Sequence, residues 1–342
     1  MTMTMPKVLI CANPSFGVRW VKAEQKSKLG AVAQVLELES TTRDEFFKDC
    51  KGKYQGVVGI YHHNDSSAAV GKFNQEFIDA LPPSVKYIVH NGAGYDQIDV
   101  DACTARGIQV GHTPKAVDHA TATTGSFLAI SALRQFYRAE VNIRNGNWKS
   151  GLKPAYDPED RVLGIIGMGG IGTIMAHQLM AFGMSVIYHN RREIVPSPDF
   201  ACEYVPALSD LLARSDVVSL NLPLNEHTRG MFGAEQFAQM KDGAVLVNTA
   251  RGAVVDEPAM IAALQSGKLA SVGLDVYPDE PRVNPTLLAM DNVTLLPHVG
   301  TETSDTQRKM ELLVLDNLIS AVTGKGLINL VPEQQRNHDH PA

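Results

Sequence analysis

The chain has 342 residues, a length that suits two domains of ordinary size better than one. Hydrophobic residues make up 44% and charged residues 20%, as in a globular protein, and the net charge of −6 argues weakly against nucleic acid or an acidic membrane as the main partner. The four cysteines form no CxxC pair, so we expect neither a disulfide framework nor a metal site.

Two features of the sequence bear on where the protein works. No apolar stretch approaches the ~20 residues that a membrane helix needs. Residues 1–7 lead directly into the apolar residues 8–10 without the core of a signal peptide. Together with the cysteine usage, these features predict a cytoplasmic enzyme that does not enter the membrane.

Short apolar segments alternate with helical patterns along the whole chain, which predicts parallel sheets with crossover helices. The strands predicted in the first part are residues 7–12, 32–38, 56–61, 85–90 and 107–110. The strands predicted in the second part are residues 161–166, 184–189, 217–222, 244–248, 271–276 and 293–296. The two parts therefore read as two α/β layers of similar plan.

Two longer helical patterns bear on the domain boundaries. The first covers about residues 115–137, leads into a polar stretch at residues 144–160, and looks like a bridge between the two parts. The second covers about residues 304–323 and follows a second part whose strands are already complete, so we expect it to pack on the first part. We predict a discontinuous first domain, residues 1–118 with 302–342, around an inserted second domain, residues 119–301.

Residues 167–172 form the pattern GxGxxG between a predicted strand and a predicted helix. Gly167 allows the tight turn, Gly169 lets a pyrophosphate approach the backbone, and Gly172 lets the helix pack closely on the strand. The pyrophosphate then lies on the N–H groups at the positive end of the helix. The pattern predicts a nicotinamide dinucleotide site; the context disfavours a glycine turn without a ligand. The apolar stripe predicted for the helix is Ile171, Ile174, Met175, Leu179 and Phe182.

The next strand ends at Asn190, where many NAD-binding units carry an acid that binds the ribose hydroxyls. Arg191 and Arg192 follow it, and guanidinium groups bind a 2′-phosphate that an acid would repel. We therefore expect NADP(H) to be preferred, with NAD(H) possible. The alternative is that both arginines are solvated loop charges.

An arginine, an acid and a histidine follow three predicted strands of the second part: Arg251, Glu280 and His298. We expect them near the nicotinamide, because ligands of open α/β sheets lie beyond the carboxyl ends of the strands. His298 could protonate the carbonyl oxygen of a 2-keto acid as hydride adds, and Glu280 would hold the imidazole in the required tautomer. Arg251 would bind the substrate carboxylate. Taken singly, each is equally explained as an ordinary surface, turn or loop residue.

Several segments together resemble the family of D-isomer-specific 2-hydroxyacid dehydrogenases. They are the glycine motif, NTARGA at residues 248–253, GLDV at residues 273–276 with Glu280-Pro281, and LPHVG at residues 296–300. Within the family the chain is most similar to fungal glyoxylate/hydroxypyruvate reductases, through NGAGYDQID at residues 91–99 and YHNR at residues 188–191.

The resemblance implies an α/β fold of two doubly wound parallel-sheet domains, a flavodoxin-like substrate domain and a Rossmann dinucleotide-binding domain, with a cleft between them. It implies that Arg251 binds substrate, that His298 is the acid/base, that Glu280 is its partner, and that the protein is a homodimer joined through its cofactor domains. The cofactor contacts that we predict are Gly167, Met168, Gly169, Gly170, Ile171, Gly172, Asn190, Arg191, Arg192, Leu222, Pro223, Thr228, Thr249, Ala250, Arg251, Asp275, His298, Gly300 and Thr124. For Thr124, an ordinary exposed helical threonine is an equal alternative.

The resemblance also implies that the loop at residues 91–94 offers backbone N–H groups to the substrate carboxylate, the alternative being a plain turn after a strand. Tyr95 stands where family members commonly have a small aliphatic residue; it would either narrow the pocket or pack, and Tyr61 is similarly ambiguous. Trp148 would be an interface, substrate-contact or packed residue. The predicted substrate contacts are Asn91, Gly92, Ala93, Gly94, Tyr95, Tyr61, Arg251 and His298.

The predicted function is the NADPH-dependent reduction of glyoxylate, hydroxypyruvate or a related small 2-keto acid to the D-2-hydroxy acid. Two alternatives stay open. One is a reductase of a bulkier aromatic or branched 2-keto acid in a similar site. The other is a dinucleotide-sensing scaffold that resembles the transcriptional corepressors of this fold, because fold alone does not decide function.

Overall fold

A computed structural model describes residues 5–13 and 17–339 of the chain. They divide into two compact units. The first contains the residues up to Val117 and those from Thr303 onward, and the second is Asp118–Glu302. The boundaries predicted from the sequence, 118/119 and 301/302, each lie one residue from this division.

The strands and helices alternate along the chain. The strands are β1 (Lys7–Cys11), β2 (Gln34–Glu37), β3 (Val57–His62), β4 (Tyr87–His90), β5 (Gln109–Gly111), β6 (Val162–Ile166), β7 (Ser185–His189), β8 (Glu203–Tyr204), β9 (Val217–Leu220), β10 (Ala244–Asn248), β11 (Leu269–Leu274) and β12 (Val293–Leu295). The α-helices are α1 (Lys22–Glu24), α2 (Arg43–Cys50), α3 (Ser67–Val70), α4 (Gln75–Ala80), α5 (Val100–Ala105), α6 (Asp118–Arg134), α7 (Phe136–Arg144), α8 (Gly170–Met180), α9 (Leu208–Arg214), α10 (Ala234–Gln239), α11 (Glu257–Ser266), α12 (Pro285–Ala289), α13 (Ser304–Val322) and α14 (Pro332–Asp339).

Several helices begin at a Thr, Asn or Asp whose side chain accepts a hydrogen bond from a backbone N–H in the first turn. This bond pairs one of the N–H groups that have no partner within the helix. The capping residues are Thr42, Asn74, Asp99, Asp256, Asn284 and Thr303.

The first unit is a five-stranded parallel sheet in the order β2-β1-β3-β4-β5, which is the flavodoxin-like order. Helix α13 packs on β3 and β4. Its buried residues Val314, Leu315 and Leu318 share a hydrophobic cluster with Tyr61 and Val89. The C-terminal helix therefore covers one face of the first sheet, as we expected from the sequence.

The second unit is a seven-stranded parallel sheet in the order β12-β11-β10-β9-β6-β7-β8. The strand order reverses between β6 and β9, which makes the carboxyl edge of these strands the usual ligand-binding place of a doubly wound sheet. The predicted fold class, two parallel-sheet α/β domains with a Rossmann-type second domain, is confirmed. The short edge strand β8 was not predicted.

The helix predicted at residues 115–137 is wrong in its bounds and in its interpretation as a bridge. Lys115 has a positive φ of 67° and lies outside the helix. Gln135, in the left-handed region at φ 52°, separates α6 from α7. Helix α6 belongs to the second unit, because it packs on β10 and β11 and Ser271 Oγ donates to Ala132 O at 2.8 Å.

The prediction of the apolar stripe on α8 is also wrong at one residue. Met175 and Leu179 are fully buried, and Ile171 and Ile174 pack against the same cluster. Phe182 lies beyond the end of the helix, and 52% of it is exposed. The stripe therefore ends one turn earlier than the sequence pattern indicates.

Among residues 5–13 and 17–339, no helix is both long and apolar enough to cross a membrane.

Candidate active site

The glycine motif forms the turn between β6 and α8 and the first residues of α8. At two of its glycines, a Cβ atom would clash with neighbouring backbone. Gly167 has a φ of +97°, and a Cβ there would overlap the carbonyl oxygen of Asn221. A Cβ at Gly172 would lie 2.6 Å from the carbonyl oxygen of Gly167. A residue with a side chain could therefore not replace either glycine without moving the neighbouring backbone.

Gly169 has a different role, because it is the N-cap of the 11-residue helix α8. No described atom lies within 4 Å of the place where a Cβ would stand. The first N–H groups of a helix have no partner within it, and they attract an anion. The open space beside the Gly169 backbone fits the close approach of a pyrophosphate that we predicted for this glycine.

The end of β7 is tied to the glycine turn through Asn190. The backbone N–H of Met168 donates to Asn190 Oδ1 at 2.8 Å, and Tyr204 Oη donates to the carbonyl oxygen of Asn190 at 3.2 Å. Arg191 and Arg192 follow on the exposed surface. The residue that stands where many such units carry an acid thus braces the turn, and two exposed arginines follow it in the chain.

His298 and Glu280 form a hydrogen-bonded pair. His298 Nδ1 lies 2.7 Å from Glu280 Oε2, and Glu280 Oε1 accepts the backbone N–H of Tyr277 at 2.9 Å. Burial raises the pKa of Glu280, but these hydrogen bonds and the charges of His298 and Arg251 outweigh it and lower the pKa overall. An ionised carboxylate only accepts, so Nδ1 carries the hydrogen and Nε2 is left for chemistry.

Asp275 holds the loop that carries His298. Its carboxylate is buried and accepts the backbone N–H groups of Val299 and Gly300, each at 2.8 Å. Burial raises the pKa of Asp275 against the opposing effect of these two hydrogen bonds. His298 itself has a positive φ of 54°, which the sequence did not indicate. Asp275 therefore positions the histidine, a role separate from the cofactor contact that we predicted for it.

Arg251 follows β10 in a loop that Asn248 braces. Asn248 Nδ2 donates to the carbonyl oxygen of Arg251 at 2.9 Å, and the N–H of Ala250 donates to Asn248 Oδ1 at 3.0 Å. A Cβ at Gly252 would overlap the backbone of Tyr277, so the two loops are in close contact. Arg251 Nη1 donates to Ala250 O at 2.8 Å, and the charge of the guanidinium contributes to lowering the pKa of Glu280.

The other predicted cofactor residues of the second unit lie on α6 or on loops after strands. Thr124 Oγ1 donates to Ala120 O within α6 at 3.2 Å. Thr228 Oγ1 donates to Pro223 O at 2.6 Å and closes the loop that begins at Leu222. Thr249 is buried directly after β10. These contacts show where the residues lie in the second unit. That they contact a cofactor stays a prediction.

The loop at residues 91–94 follows β4 in the first unit. The N–H of Thr113 donates to Gly92 O at 3.0 Å, and His112 Nδ1 lies 2.9 Å from Ala93 O. A Cβ at Gly92 would overlap His90 Nε2, so glycine is needed here for close approach to a side chain.

Three aromatic residues that were ambiguous in sequence have distinct surroundings. Tyr61 is fully buried in the hydrophobic cluster that contains residues of α13. This burial favours the core-packing alternative, so we no longer propose Tyr61 as a substrate contact. Tyr95 donates through its hydroxyl to Glu333 Oε2 at 2.7 Å and stands edge-on to His112. Trp148 is 68% exposed, so its interpretation as a packed residue is wrong for this chain.

The structure contains a buried pair of histidines that we did not predict from the sequence. His62 and His90 end the neighbouring strands β3 and β4, and their Nδ1 atoms are 2.8 Å apart. Both side chains are fully buried. The available signal was the histidine at the end of each apolar segment, which we did not weigh.

The comparison with known proteins adds the family. Residues 126–300 match the family described as D-isomer specific 2-hydroxyacid dehydrogenase, NAD binding domain. The chain is 51% identical to 4-methyl-2-oxopentanoate reductase A of Aspergillus oryzae over 309 residues, which cover 90% of this chain and 94% of the relative.

Two solved structures are similar in fold and sequence. A glyoxylate reductase from Paecilomyes thermophila has a TM-score of 0.93 and 48% identity, covering 97% of this chain and 100% of the other. An NADPH-dependent glyoxylate/hydroxypyruvate reductase from Sinorhizobium meliloti, in complex with NADP and malonate, has a TM-score of 0.82 and 30% identity, covering 96% and 98%.

The resemblance inferred from the sequence motifs is thereby confirmed for the family. The fold, the glycine turn and these likenesses agree in one conclusion. The chain belongs to the D-isomer-specific 2-hydroxyacid dehydrogenase family and is an NAD(P)-dependent oxidoreductase.

Proposed function

We propose that this enzyme reduces a small 2-keto acid of the glyoxylate/hydroxypyruvate class to the D-2-hydroxy acid, with NADPH as the reductant. The observation that carries the proposal is the pair of His298 Nδ1 and Glu280 Oε2, which lie 2.7 Å apart. The pair and the arginine belong to the same unit as the glycine turn. The similar structure from Paecilomyes thermophila, described as a glyoxylate reductase, supports this substrate class.

His298 is the proton donor in this proposal. A bound nicotinamide dinucleotide would supply the hydride for the carbonyl carbon. His298 Nε2 donates the proton that the carbonyl oxygen takes up. Glu280 accepts the Nδ1–H and stabilises the imidazolium before the transfer. In the oxidative direction the same nitrogen receives the hydroxyl proton.

Arg251 binds the substrate carboxylate through its guanidinium group and polarises the keto oxygen. Asn248 and Gly252 support this role, because their contacts restrict the backbone conformation of the loop that carries Arg251.

The preference for NADPH is proposed from Arg191 and Arg192. Their guanidinium groups stand at the exposed end of β7, where Asn190 replaces a carboxylate that would repel a 2′-phosphate. The similar structure from Sinorhizobium meliloti, described as NADPH-dependent and holding NADP, supports this choice.

A branched 2-keto acid is the second candidate substrate. The relative from Aspergillus oryzae is named for 4-methyl-2-oxopentanoate and is 51% identical to this chain. The roles of His298, Arg251 and Glu280 would be the same, because these residues act on the carbonyl and carboxylate groups that both substrates share.

We also propose a homodimer formed by the second unit. Apolar side chains about half exposed or more gather on α6, α7 and the segment after them, and exposed apolar patches of this kind mark interfaces. They are Phe127, Phe136, Tyr137, Ile143 and Trp148. Light scattering should give twice the chain mass of 37.1 kDa, and Ile143→Arg should shift the mass toward the monomer. A monomeric wild type would refute the proposal.

The substrate and cofactor are tested by steady-state kinetics with glyoxylate, hydroxypyruvate and 4-methyl-2-oxopentanoate, each with NADPH and with NADH. We expect the highest kcat/KM with a small 2-keto acid and NADPH. The double variant Arg191→Ala, Arg192→Ala should raise the KM for NADPH more than that for NADH. Equal losses for the two cofactors would contradict the phosphate-binding role, and negligible turnover across the panel would contradict the proposed reaction.

A further inference from the structure

Tyr277, which follows the end of β11, lies where three loops of the second unit meet. Its backbone N–H donates to Glu280 Oε1 at 2.9 Å. Its hydroxyl donates to the carbonyl oxygen of Leu296 at 2.9 Å, in the loop that carries His298. A Cβ at Gly252, in the segment after β10, would lie 2.0 Å from the carbonyl carbon of Tyr277. The loops that carry the proposed arginine, acid and histidine therefore all contact this one residue.

The loop of His298 is anchored on both sides of the histidine. His298 has a φ of 54°, in a region that residues with side chains rarely adopt. A residue in such a conformation persists only where the surrounding structure fixes it. After the histidine, the Asp275 carboxylate accepts the N–H groups of the next two residues, each at 2.8 Å. Before it, the Tyr277 hydroxyl holds the carbonyl oxygen of Leu296.

The hydroxyl is the part of Tyr277 that apolar packing does not need. Tyr277 belongs to a hydrophobic cluster of the second unit and is 7% exposed. A phenylalanine would keep these apolar contacts. Burying a hydroxyl costs free energy unless it is hydrogen-bonded, and here the bond goes to the loop of the histidine. Burial also raises the pKa of Tyr277, so the hydroxyl keeps its proton and acts as a donor.

We infer that Tyr277 is a positioning residue for the proton transfer from His298. Its hydroxyl holds the loop of the histidine while its N–H holds the carboxylate of Glu280. The two contacts together keep His298 Nδ1 and Glu280 Oε2 at hydrogen-bond distance, 2.7 Å. This inference rests on the proposed function, in which His298 is the proton donor. Without the hydroxyl, the backbone before His298 can shift, and a small displacement of a reacting group lowers a rate strongly.

The first test removes the hydroxyl and leaves the ring. Tyr277→Phe should lower kcat for glyoxylate by about tenfold, because one hydrogen bond that positions the acid is lost. The KM for glyoxylate and the Kd for NADPH should change by no more than about twofold, because the roles proposed for Arg251 and the glycine turn do not use the hydroxyl. Steady-state kinetics and fluorescence titration of NADPH measure these quantities.

The matched control is Tyr54→Phe in the first unit. Tyr54 is 2% exposed, and its hydroxyl accepts the backbone N–H of Glu39 at 3.0 Å, so the same buried group is removed. The control should keep the wild-type kcat, and the Tm of Tyr277→Phe should fall no further than that of the control. An unchanged kcat in Tyr277→Phe, or an equal loss of kcat in both variants, would overturn the inference.

A double-mutant cycle separates positioning of His298 from a general effect on the fold. In a His298→Ala background, Tyr277→Phe should have little further effect on kcat, because the group that it positions is absent. A tenfold loss in both backgrounds would show that the hydroxyl does not act through His298. If His298→Ala itself keeps the wild-type kcat, the proposed function fails. If His298→Ala lowers kcat and Tyr277→Phe does not, only the present inference fails.

A spectroscopic measurement tests the positioning without turnover. The proton between His298 Nδ1 and Glu280 is identified in proton NMR as the downfield resonance that is missing from His298→Ala. In Tyr277→Phe this resonance should shift or broaden, and in Tyr54→Phe it should not. An unchanged resonance in Tyr277→Phe would count against the inference, whichever substrate the enzyme reduces.

Discussion

At the scale of single residues, the proposed reactive centre depends on contacts that hold His298 and its loop in place. Glu280 takes the Nδ1–H, and Asp275 takes two backbone N–H groups of the following residues. The sequence motifs indicated Arg251, Glu280 and His298, because each follows a strand of a parallel sheet. They did not indicate the positioning role of Asp275, because it depends on hydrogen bonds between segments that are more than 20 residues apart in sequence.

His298→Ala should lower kcat by about 10²–10⁴-fold, the usual contribution of a general acid. The dissociation constant for NADPH should change little, because the glycine turn and the helix N-terminus are untouched. Fluorescence titration of NADPH and steady-state kinetics measure the two quantities. The control is His227→Ala, an exposed histidine of the same unit. A rate in His298→Ala equal to that of the control would remove His298 from the mechanism.

At the scale of elements, sequence periodicity located every strand except the two-residue β8, with ends shifted by at most two residues. It failed where the backbone changes conformation inside a continuous pattern. Gln135 adopts a left-handed conformation between α6 and α7, and no residue preference announces it. The apolar pattern also ran past the end of α8 to Phe182, since an exposed phenylalanine looks like a buried one in sequence.

The glycine turn permits a matched comparison. Gly167→Ala should weaken NADPH binding by at least tenfold and destabilise the fold by about 1–3 kcal/mol, because a Cβ overlaps Asn221 in a backbone that disfavours side chains. Gly230 also has a positive φ, but no described atom lies within 4 Å of its missing Cβ. Gly230→Ala should therefore lower stability less and keep NADPH binding. Equal losses in the two variants, by titration and chemical denaturation, would contradict the steric argument.

At the scale of the whole molecule, the order of strands in both sheets followed from the family resemblance and could not follow from periodicity. Periodicity predicts that strands are parallel and buried, but it does not state which strands are neighbours. The pairing of β3 with β4 brings His62 and His90 together, and only the three-dimensional structure shows that they are buried in contact.

This histidine pair gives the stability of the protein a pH dependence. Burial, and then the neighbouring His90, lowers the pKa of His62 well below its ordinary value. The unfolded histidine binds a proton below about pH 6.5, and the folded one does not. The stability is therefore fully present above that pH and falls as the pH drops below it, by up to about 1.4 kcal/mol per pH unit for one such group.

Denaturation in urea at pH 7.5 and at pH 5.5 measures this effect. We expect a loss of stability at the lower pH, and His112, whose pKa burial also lowers, should add to it. His62→Gln should reduce the difference between the two pH values, and His227→Gln should not. The same pH difference in the wild type and His62→Gln would show that the buried pair does not cause it.

The central claim, reduction of a 2-keto acid by hydride transfer, is tested most directly by the fate of the hydride. The wild-type enzyme is incubated with hydroxypyruvate and NADPH that carries deuterium at both positions of the nicotinamide carbon 4, and the glycerate formed is analysed for configuration and isotope. The account predicts D-glycerate with one deuterium on the carbon that was the carbonyl. L-glycerate, product without deuterium, or no product would contradict it.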